Sequence, residues 1–323
     1  MKICIVGTGK IVAEVLLMLK EELANEIEVT GIYSREKSVE KTQAMLEKTG
    51  CQVPIYTDYQ RMLQEAESDF VYIANANHVH YQYAIQAMTS GHNVIVEKPI
   101  ARNRVETEEM FDKALMHGVY CLPAYSLLYM PLLRKIIEVL PQIGQVRMVN
   151  CFYAQYSSRY DKYLRGEVEP VFDPQCSGGS LMDLDVYNLC FCIALFGPPR
   201  TIRYEKNLGF NHVDTSGFLL LHYPGFTASL GASKDSNGLS YGCIQGEKGY
   251  IEIPGSVSIL KEFKLHLNNG ETQTFHAEEG KHRLNYEFRE FYSLIEDRKN
   301  CHIILPFVVR VAQEIAIALE RMD

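Results

Sequence analysis

The stretch Ile3-Cys4-Ile5-Val6-Gly7-Thr8-Gly9-Lys10-Ile11-Val12 decides the fold of the first third of the chain. Its first four residues form a continuous apolar run, which is typical of a strand buried on both faces of a parallel sheet. Two glycines follow, and apolar residues then recur at helical spacing up to Leu23. A strand, a glycine turn and a helix in this order predict a turn that holds a dinucleotide pyrophosphate.

The same alternation continues through residue 122. Five further apolar runs follow, at 29–33, 55–56, 70–74, 93–97 and 119–122, and helical segments separate most of them. Residues 1–122 are therefore predicted to form a doubly wound α/β Rossmann domain. Beyond them, strand-like runs follow one another around a single helix at about 180–196, and helices at about 285–297 and 306–321 end the chain. Strands that follow one another without intervening helices predict a second domain, residues 123–323, with a mostly antiparallel sheet.

Composition narrows the class of protein. The 323 residues carry a net charge of −8, which argues against nucleic-acid and anionic-membrane partners. The apolar runs are shorter than the roughly 18 to 20 residues of a membrane helix, and too few residues precede Gly7 for a secretion signal. Nine scattered cysteines without a CxxC pair predict reduced thiols, no metal site and a cytoplasmic location.

The glycine turn predicts how the cofactor is held. The first glycine allows a tight turn, and the second lets the pyrophosphate approach the backbone at the helix N-terminus. Val12 stands at the third position, where Gly or Ala is usual. The alternative is a glycine turn without a ligand. The predicted contacts of the phosphates are Gly7, Thr8, Gly9, Lys10 and Ile11.

The end of the second strand bears on the choice between NADP and NAD. An acidic residue there would accept hydrogen bonds from the ribose 2′-hydroxyl of NAD. The chain has Ser34, Arg35 and Lys37 instead, and Glu36 is free to point away. A hydroxyl and a guanidinium suit a 2′-phosphate, which favours NADP, with NAD as the alternative. In the other interpretation, Arg35 and Lys37 are solvated surface charges.

Three further motifs resemble one family. Ala74-Asn75-Ala76-Asn77-His78-Val79-His80 follows the fourth strand, Glu97-Lys98-Pro99 follows the fifth, and Gly178-Gly179-Ser180-Leu181-Met182-Asp183-Leu184-Asp185-Val186-Tyr187 opens the central helix of the second domain. Together with the glycine turn they resemble the glucose-fructose oxidoreductase, inositol dehydrogenase and rhizopine-catabolism (Gfo/Idh/MocA) family. The resemblance implies hydride transfer between nicotinamide C4 and an alcohol carbon of a sugar, cyclitol or dihydrodiol. It also implies that residues 123–323 form an α+β domain with an open, mostly antiparallel sheet for substrate binding and oligomerisation. The free face of this sheet would form a homodimer or homotetramer.

The resemblance also implies the site residues. Lys98 matches the catalytic lysine, and Asp183 matches the aspartate of a D-x-x-x-H pattern. Tyr187 replaces the histidine of that pattern, as in the branch of dihydrodiol and xylose dehydrogenases, where a tyrosine is the acid/base. Pro99 matches a residue that shapes the nicotinamide pocket. The other cofactor contacts implied by these motifs are Ala74, Asn75, Asn77, His80 and Glu97.

The chemistry is consistent with these residue types. A tyrosine with its ordinary pKa near 10 is a poor base, and a lysine ammonium or a positive nicotinamide favours its phenolate. Asp183 and Tyr187 are four residues apart, so they face the same side of a helix, where Asp183 orients substrate or tunes Lys98. Each residue also has an interpretation without a catalytic role. In it, Lys98 is a surface lysine, Asp183 is a charge at a helix N-terminus and Tyr187 is a core residue.

Departures from the family pattern leave the substrate open. Pro123 and Leu128 stand where relatives often have an acid and an arginine, and Asp185 stands where Gly or Ala is usual. We expect Asp185 either to face solvent or to contact substrate, and Arg159 is a weak candidate ligand. The sequence favours an NADP-dependent oxidoreductase of a polyol. The alternative is a non-catalytic dinucleotide-binding regulator or sensor on the same scaffold.

Overall fold

A computed structural model describes residues 1–296 and 304–322 of the chain. They form two compact units. The first unit comprises Met1–Tyr125 and Leu284–Val309, and the second comprises Ser126–Arg283 and Arg310–Asp323. The stretch Leu284–Val309, which was predicted to belong to the second domain, thus falls in the first unit. The predicted helix end at residue 297 and the ninth cysteine, residue 301, lie outside the described residues.

The first unit is built on a six-stranded parallel sheet with the order β3-β2-β1-β4-β5-β6. The strands are β1 (Lys2–Val6), β2 (Glu28–Tyr33), β3 (Ile55–Tyr56), β4 (Phe70–Ile73), β5 (Asn93–Glu97) and β6 (Cys121–Ala124). The helices between them are α1 (Lys10–Glu22), α2 (Val39–Thr49), α3 (Tyr59–Glu65), α4 (His80–Thr89) and α5 (Arg104–His117). The predicted Rossmann fold is confirmed. Because the strand order reverses between β1 and β4, their carboxyl ends form the crevice in which such sheets bind ligands.

Two elements of this unit differ from the sequence prediction. The helix α2 was not predicted, because its buried positions are only Thr42, Leu46 and Thr49, which give a weak apolar stripe. The last strand lies two residues later than predicted and includes Pro123. That strand pairs on one side only, with β5, and an edge strand tolerates a proline.

The second unit holds an eight-stranded sheet with the order β14-β13-β12-β11-β7-β10-β9-β8. Its strands are β7 (Val146–Ala154), β8 (Thr201–Leu208), β9 (Asp214–Tyr223), β10 (Phe226–Ser233), β11 (Tyr241–Gly246), β12 (Gly249–Pro254), β13 (Glu262–Leu267) and β14 (Thr272–His276). All neighbours pair antiparallel except β7 and β10, so the mostly antiparallel sheet is confirmed. Strands β12 and β14 were not predicted.

Helices complete the second unit and the chain. The predicted central helix is a π-helical turn, Leu181–Asp185, that continues into an α-helix. The α-helices are α6 (Pro131–Val139), α7 (Tyr160–Leu164), α8 (Val186–Phe196), α9 (Arg283–Glu296) and α10 (Ile304–Glu320). The eight cysteines that the structure describes are free thiols, five of them buried and three half-buried.

One helical stretch, Pro174–Phe196, is long and apolar enough to cross a membrane by length and composition alone. Of its most apolar window, 67% is buried inside the protein. The core helix of a compact unit meets the same criterion, so this stretch is weak support for a membrane segment. The apolar residues of this stretch include Leu189, Phe191 and Ile193, which are buried where α8 packs against the sheet.

Candidate active site

The turn after β1 has the geometry of an anion site. Gly7 adopts a φ of +132°, and a Cβ there would lie 2.5 Å from the carbonyl oxygen of Ala74, so only glycine fits. Gly9 is the N-cap of α1, has no capping side chain, and a Cβ there would meet nothing within 4 Å. No side chain therefore caps the N-terminus of α1, and the space beside Gly9 is open. A helix N-terminus of this kind attracts phosphate, which fits the predicted pyrophosphate position.

The loop after β4 adds polar groups on the neighbouring strand. The Ala74 N–H donates to the carbonyl of Val6 at 2.8 Å, which continues the sheet pairing to the end of β1. Asn75 Oδ1 and His78 Nδ1 are buried and have no hydrogen-bond partner in the part of the chain that the structure describes. Buried polar atoms normally have partners, so these two point to a ligand. The residues of this crevice fit a dinucleotide.

His80 links this loop to the loop after β5. It is fully buried, with Nδ1 at 2.9 Å from the carbonyl oxygen of Pro99 and Nε2 at 3.2 Å from that of Asn75. Burial lowers the pKa of His80, and the charge of Lys98 lowers it further, against the two carbonyl contacts that raise it. A neutral imidazole donates to one of the two carbonyls. His80 thus fixes the backbone on which Asn75 and Pro99 lie.

The Glu97-Lys98-Pro99 motif lies at the carboxyl end of β5. The buried Glu97 carboxylate accepts hydrogen bonds from the Tyr72 hydroxyl at 2.7 Å and from the Lys98 N–H at 3.2 Å. These contacts make Glu97 an internal brace for the strand end. The Lys98–Pro99 peptide bond is cis, Pro99 is buried and the Lys98 side chain is half-buried.

The end of β2 differs from the expected arrangement. Ser34 is only 2% exposed, and its hydroxyl oxygen lies 2.8 Å from the hydroxyl of Thr42 on α2. Its N–H also donates to the carbonyl of Tyr56 at 2.9 Å. Arg35, the next residue, is exposed. Of the two side chains that suggested a 2′-phosphate site, Arg35 is the one that solvent and ligands reach.

In the second unit, the two glycines before the π-helical turn permit close packing. A Cβ on Gly178 would lie 2.5 Å from the carbonyl oxygen of Pro170, and a Cβ on Gly179 would overlap the Asp214 carboxylate. Asp214 accepts a hydrogen bond from the N–H of Leu181 at 2.7 Å, and one from the Tyr204 hydroxyl at 2.6 Å. Asp214 therefore anchors the first residue of the turn, and the glycines leave the room it needs.

The π-helical turn carries Asp183, and α8 carries Tyr187. Across residues 184–194, all of which the structure describes, Tyr187 alone is not buried, and its ring centroid lies 6.5 Å from that of Tyr153. The Asp183 side chain is 35% exposed and forms an ion pair with Lys234, which is only 2% exposed. π-Helical turns are rare and are found frequently at functional sites.

Sequence analysis missed Lys234, Asp214 and Thr42. Lys234 follows a strand in the sequence Ala232-Ser233-Lys234-Asp235, which is typical of an exposed turn. Nothing in that pattern distinguishes a buried lysine from a solvated one. The ion pair between Lys234 and Asp183 forms only because the fold brings together two residues that are 51 positions apart.

The expectation for Asp185 was wrong in both of its forms. Asp185 is 1% exposed, so it neither faces solvent nor presents itself to a substrate. Its Oδ1 accepts a hydrogen bond from Asn188 Nδ2 at 2.7 Å, while Oδ2 has no partner in the described part of the chain. Burial raises the pKa of Asp185 to about 7, the Asn188 bond opposes the rise, and the Asp214 charge adds to it.

The structure also places Leu128, which departs from the family pattern, and Arg159, the weak candidate ligand. Leu128 is buried, so an apolar core contact replaces the charged side chain that relatives often have there. Arg159 forms an ion pair with Glu169 at 2.7 Å on the surface. Among residues 1–296 and 304–322, no group of three His, Cys, Asp or Glu side chains has the arrangement of a metal site.

A glycine turn with the geometry of an anion site at the crevice of a Rossmann sheet, followed by a lysine at a strand end, is typical of a dinucleotide-dependent oxidoreductase. Comparison with family models agrees. Residues 1–125 match the model of the Gfo/Idh/MocA oxidoreductase family with its NAD-binding Rossmann fold, and residues 133–252 match the C-terminal domain of the same family. The chain belongs to the Gfo/Idh/MocA family.

Individual relatives support this assignment. The chain is 34% identical to the scyllo-inositol 2-dehydrogenase (NADP(+)) IolU of Bacillus subtilis, over 92% of this chain and 89% of that protein. It is 26% identical to the trans-1,2-dihydrobenzene-1,2-diol dehydrogenase of Mus musculus, over 77% of this chain and 73% of that one. The 3-ketoreductase KijD10 from Actinomadura kijaniata, solved with NADP and TDP-benzene, has the same fold, with a TM-score of 0.83 at 18% identity. That match covers 100% of this chain and 98% of KijD10.

Proposed function

We propose that the protein oxidises a secondary alcohol of an uncharged polyol, such as a cyclitol, sugar or dihydrodiol, with NADP⁺. The observation that carries the proposal is Tyr187, a half-exposed tyrosine in an otherwise buried helix, one helical turn after a half-exposed Asp183. The named relatives act on a cyclitol and on dihydrodiols. Family membership favours this enzyme over the non-catalytic regulator.

The proposed roles follow from the chemistry of each group. When bound, the nicotinamide supplies the hydride acceptor. Tyr187 receives the proton that leaves the substrate hydroxyl, and the Lys98 ammonium stabilises the negative charge that develops on oxygen. Asp183 accepts a hydrogen bond from a neighbouring hydroxyl and so orients the sugar or cyclitol ring. Asp183 pairs with Lys234, and we assign it this orienting role.

The first test uses a panel of cyclitols, aldoses and trans-dihydrodiols with NADP⁺, with the formation of reduced cofactor as the signal. Tyr187→Phe should lower kcat by about 10² to 10⁴, the usual contribution of a positioned acid or base. Tyr81→Phe is the matched control, because the Tyr81 hydroxyl donates to the Glu109 carboxylate at 2.5 Å on the surface of the first unit. Tight cofactor binding with no turnover on any member would favour the regulator.

We propose NADP as the preferred cofactor. The support is the absence of a carboxylate at the end of β2 and the exposure of Arg35, which pairs well with a phosphate. IolU also carries NADP(+) in its name. The Ser34 hydroxyl, which is tied to Thr42, is assigned a supporting part in shaping the loop.

We propose that two copies of the chain associate through the open face of the second sheet, within the cytoplasm. Phe218, Gly231, Phe152 and Tyr241 form one cross-strand row on β9, β10, β7 and β11. The Phe152 and Phe218 rings lie 5.6 Å apart over Gly231, where a Cβ would lie 2.6 Å from both. Phe218 and Tyr241 are 48% and 44% exposed, and exposed apolar rows of this kind mark association surfaces.

A further inference from the structure

A buried lysine, Lys234, lies behind the proposed substrate-orienting aspartate. Its side chain is 2% exposed, and its ammonium forms an ion pair with the carboxylate of Asp183. The same ammonium lies 5.3 Å from the centroid of the Phe172 ring, which is itself fully buried. A buried ammonium requires a compensating charge, and the carboxylate of Asp183 supplies one.

The backbone of Lys234 is held from two sides. Its N–H donates to the carbonyl of Thr215 at 2.8 Å, at the beginning of β9. Its carbonyl accepts the N–H of Ser157 at 2.9 Å, just after β7. With the backbone fixed by two strands and the stem enclosed by buried side chains, the ammonium has little freedom to move.

The two partners differ in exposure, and this difference points to a role. The Lys234 side chain is buried, whereas the Asp183 side chain is 35% exposed. Asp183 belongs to a π-helical turn whose first residue is anchored by Asp214, and its own N–H donates to the Gly179 carbonyl at 3.3 Å. A buried ammonium thus holds a carboxylate that is partly exposed to solvent.

We propose that Lys234 is a positioning residue for the reaction: its ammonium holds the Asp183 carboxylate in one orientation, in which it accepts a hydrogen bond from a substrate hydroxyl. The inference rests on the proposed function. It adds a second lysine to the machinery, one that acts on the ring of the polyol through Asp183, whereas Lys98 acts on the reacting oxygen.

The test compares Lys234→Met, Asp183→Asn and the double variant with the parent. Methionine matches the length of the lysine stem and removes the charge. We expect Lys234→Met to raise the KM for the polyol and to lower kcat/KM by about 10²-fold, the usual effect of a misplaced orienting group. Asp183→Asn should do the same, and the double variant should be no worse than Asp183→Asn alone, because both substitutions remove one interaction. The Kd for NADP should stay within about twofold of the parent in all three.

The controls separate positioning from folding. Rates are expressed per NADP-binding molecule, so a poorly folded fraction does not count. The double variant leaves no uncompensated buried charge, and it keeps the test valid if Lys234→Met alone folds poorly. Lys135→Met removes an exposed lysine that pairs with Glu138, and it should leave every kinetic constant unchanged.

Two results would overturn the inference. In the first, Lys234→Met melts at a lower temperature but keeps the parental kcat and KM per NADP-binding molecule, which makes Lys234 a structural ion alone. In the second, the losses of the two single variants multiply in the double variant, which makes them independent. A parent that turns over no polyol on the panel would instead refute the proposed function, and the inference with it.

Discussion

Replacing Asp185 by asparagine should remove a pH-dependent loss of stability. Asp185 is fully buried, and its pKa is raised from 3.8 to about 7. Between these two values the folded protein keeps the proton that the unfolded chain has lost. Unfolding then releases a proton, so the free energy of unfolding falls as pH rises. The stabilising contribution of the neutral acid is present at low pH and is lost progressively up to the folded pKa.

The magnitude follows from the size of the shift. One pKa unit corresponds to about 1.4 kcal/mol, so a rise of about three units sets a ceiling near 4 kcal/mol. Between about pH 5 and pH 8, the parent should lose roughly 2 to 3 kcal/mol relative to Asp185→Asn, whose side chain does not ionise. The asparagine retains an Oδ1 acceptor for the 2.7 Å hydrogen bond from Asn188.

The measurement is urea unfolding followed by far-ultraviolet circular dichroism, since the chain has no tryptophan and urea does not screen charges. Groups that do not interact with Asp185 titrate equally in both proteins, so the difference between the two stability curves reports Asp185 and its coupling to Asp214. Asp112→Asn, at an exposed position, is the control and should add no pH-dependent difference. A parent-minus-variant difference that stays constant from about pH 5 to pH 8 would refute the reasoning, because it would mean that Asp185 does not titrate there.

Three further substitutions test the cofactor site and the sheet face. Gly7→Ala should destabilise the fold by about 1–3 kcal/mol and abolish NADP binding in calorimetry. The control Gly91→Ala should lower the free energy of unfolding by less, because a Cβ on Gly91 meets nothing within 4 Å. Arg35→Ala should raise the KM for NADP about tenfold and leave that for NAD unchanged; equal changes in both would argue against a 2′-phosphate contact. Phe218→Lys should shift sedimentation toward the monomer, and an unchanged sedimentation coefficient would contradict the proposed interface.

The fold was largely predictable because its signals are local. Buried parallel strands such as β1 and β5 appear in sequence as continuous apolar runs, and glycines mark where helices end. The elements that were not predicted also have local causes. Strand β14, Thr272–His276, exposes most of its residues at the sheet edge, so it lacks an apolar pattern. Helix α2 buries two threonines and a single leucine, so its buried face has no clear apolar pattern in the sequence.

The candidate site was predictable only in part. Motifs identified the glycine turn and placed Asp183 beside Tyr187, because these residues are close in sequence. The buried partner Lys234 and the anchor Asp214 come from distant strands, and no spacing rule reaches them. Asp185 is a further example of a residue whose burial could not be predicted. Aspartate is usually exposed, and nothing in the sequence around Asp185 shows that this carboxylate is buried.

The most direct test of the central claim is hydride transfer by the parent and by Lys98→Met at saturating NADP⁺ with the best polyol of the panel. The exposed Lys41→Met variant is the control. The account predicts that the parent and Lys41→Met form reduced cofactor at equal rates. Lys98→Met should bind NADP normally but lose at least about 10²-fold in kcat. Parental turnover by Lys98→Met would contradict the account.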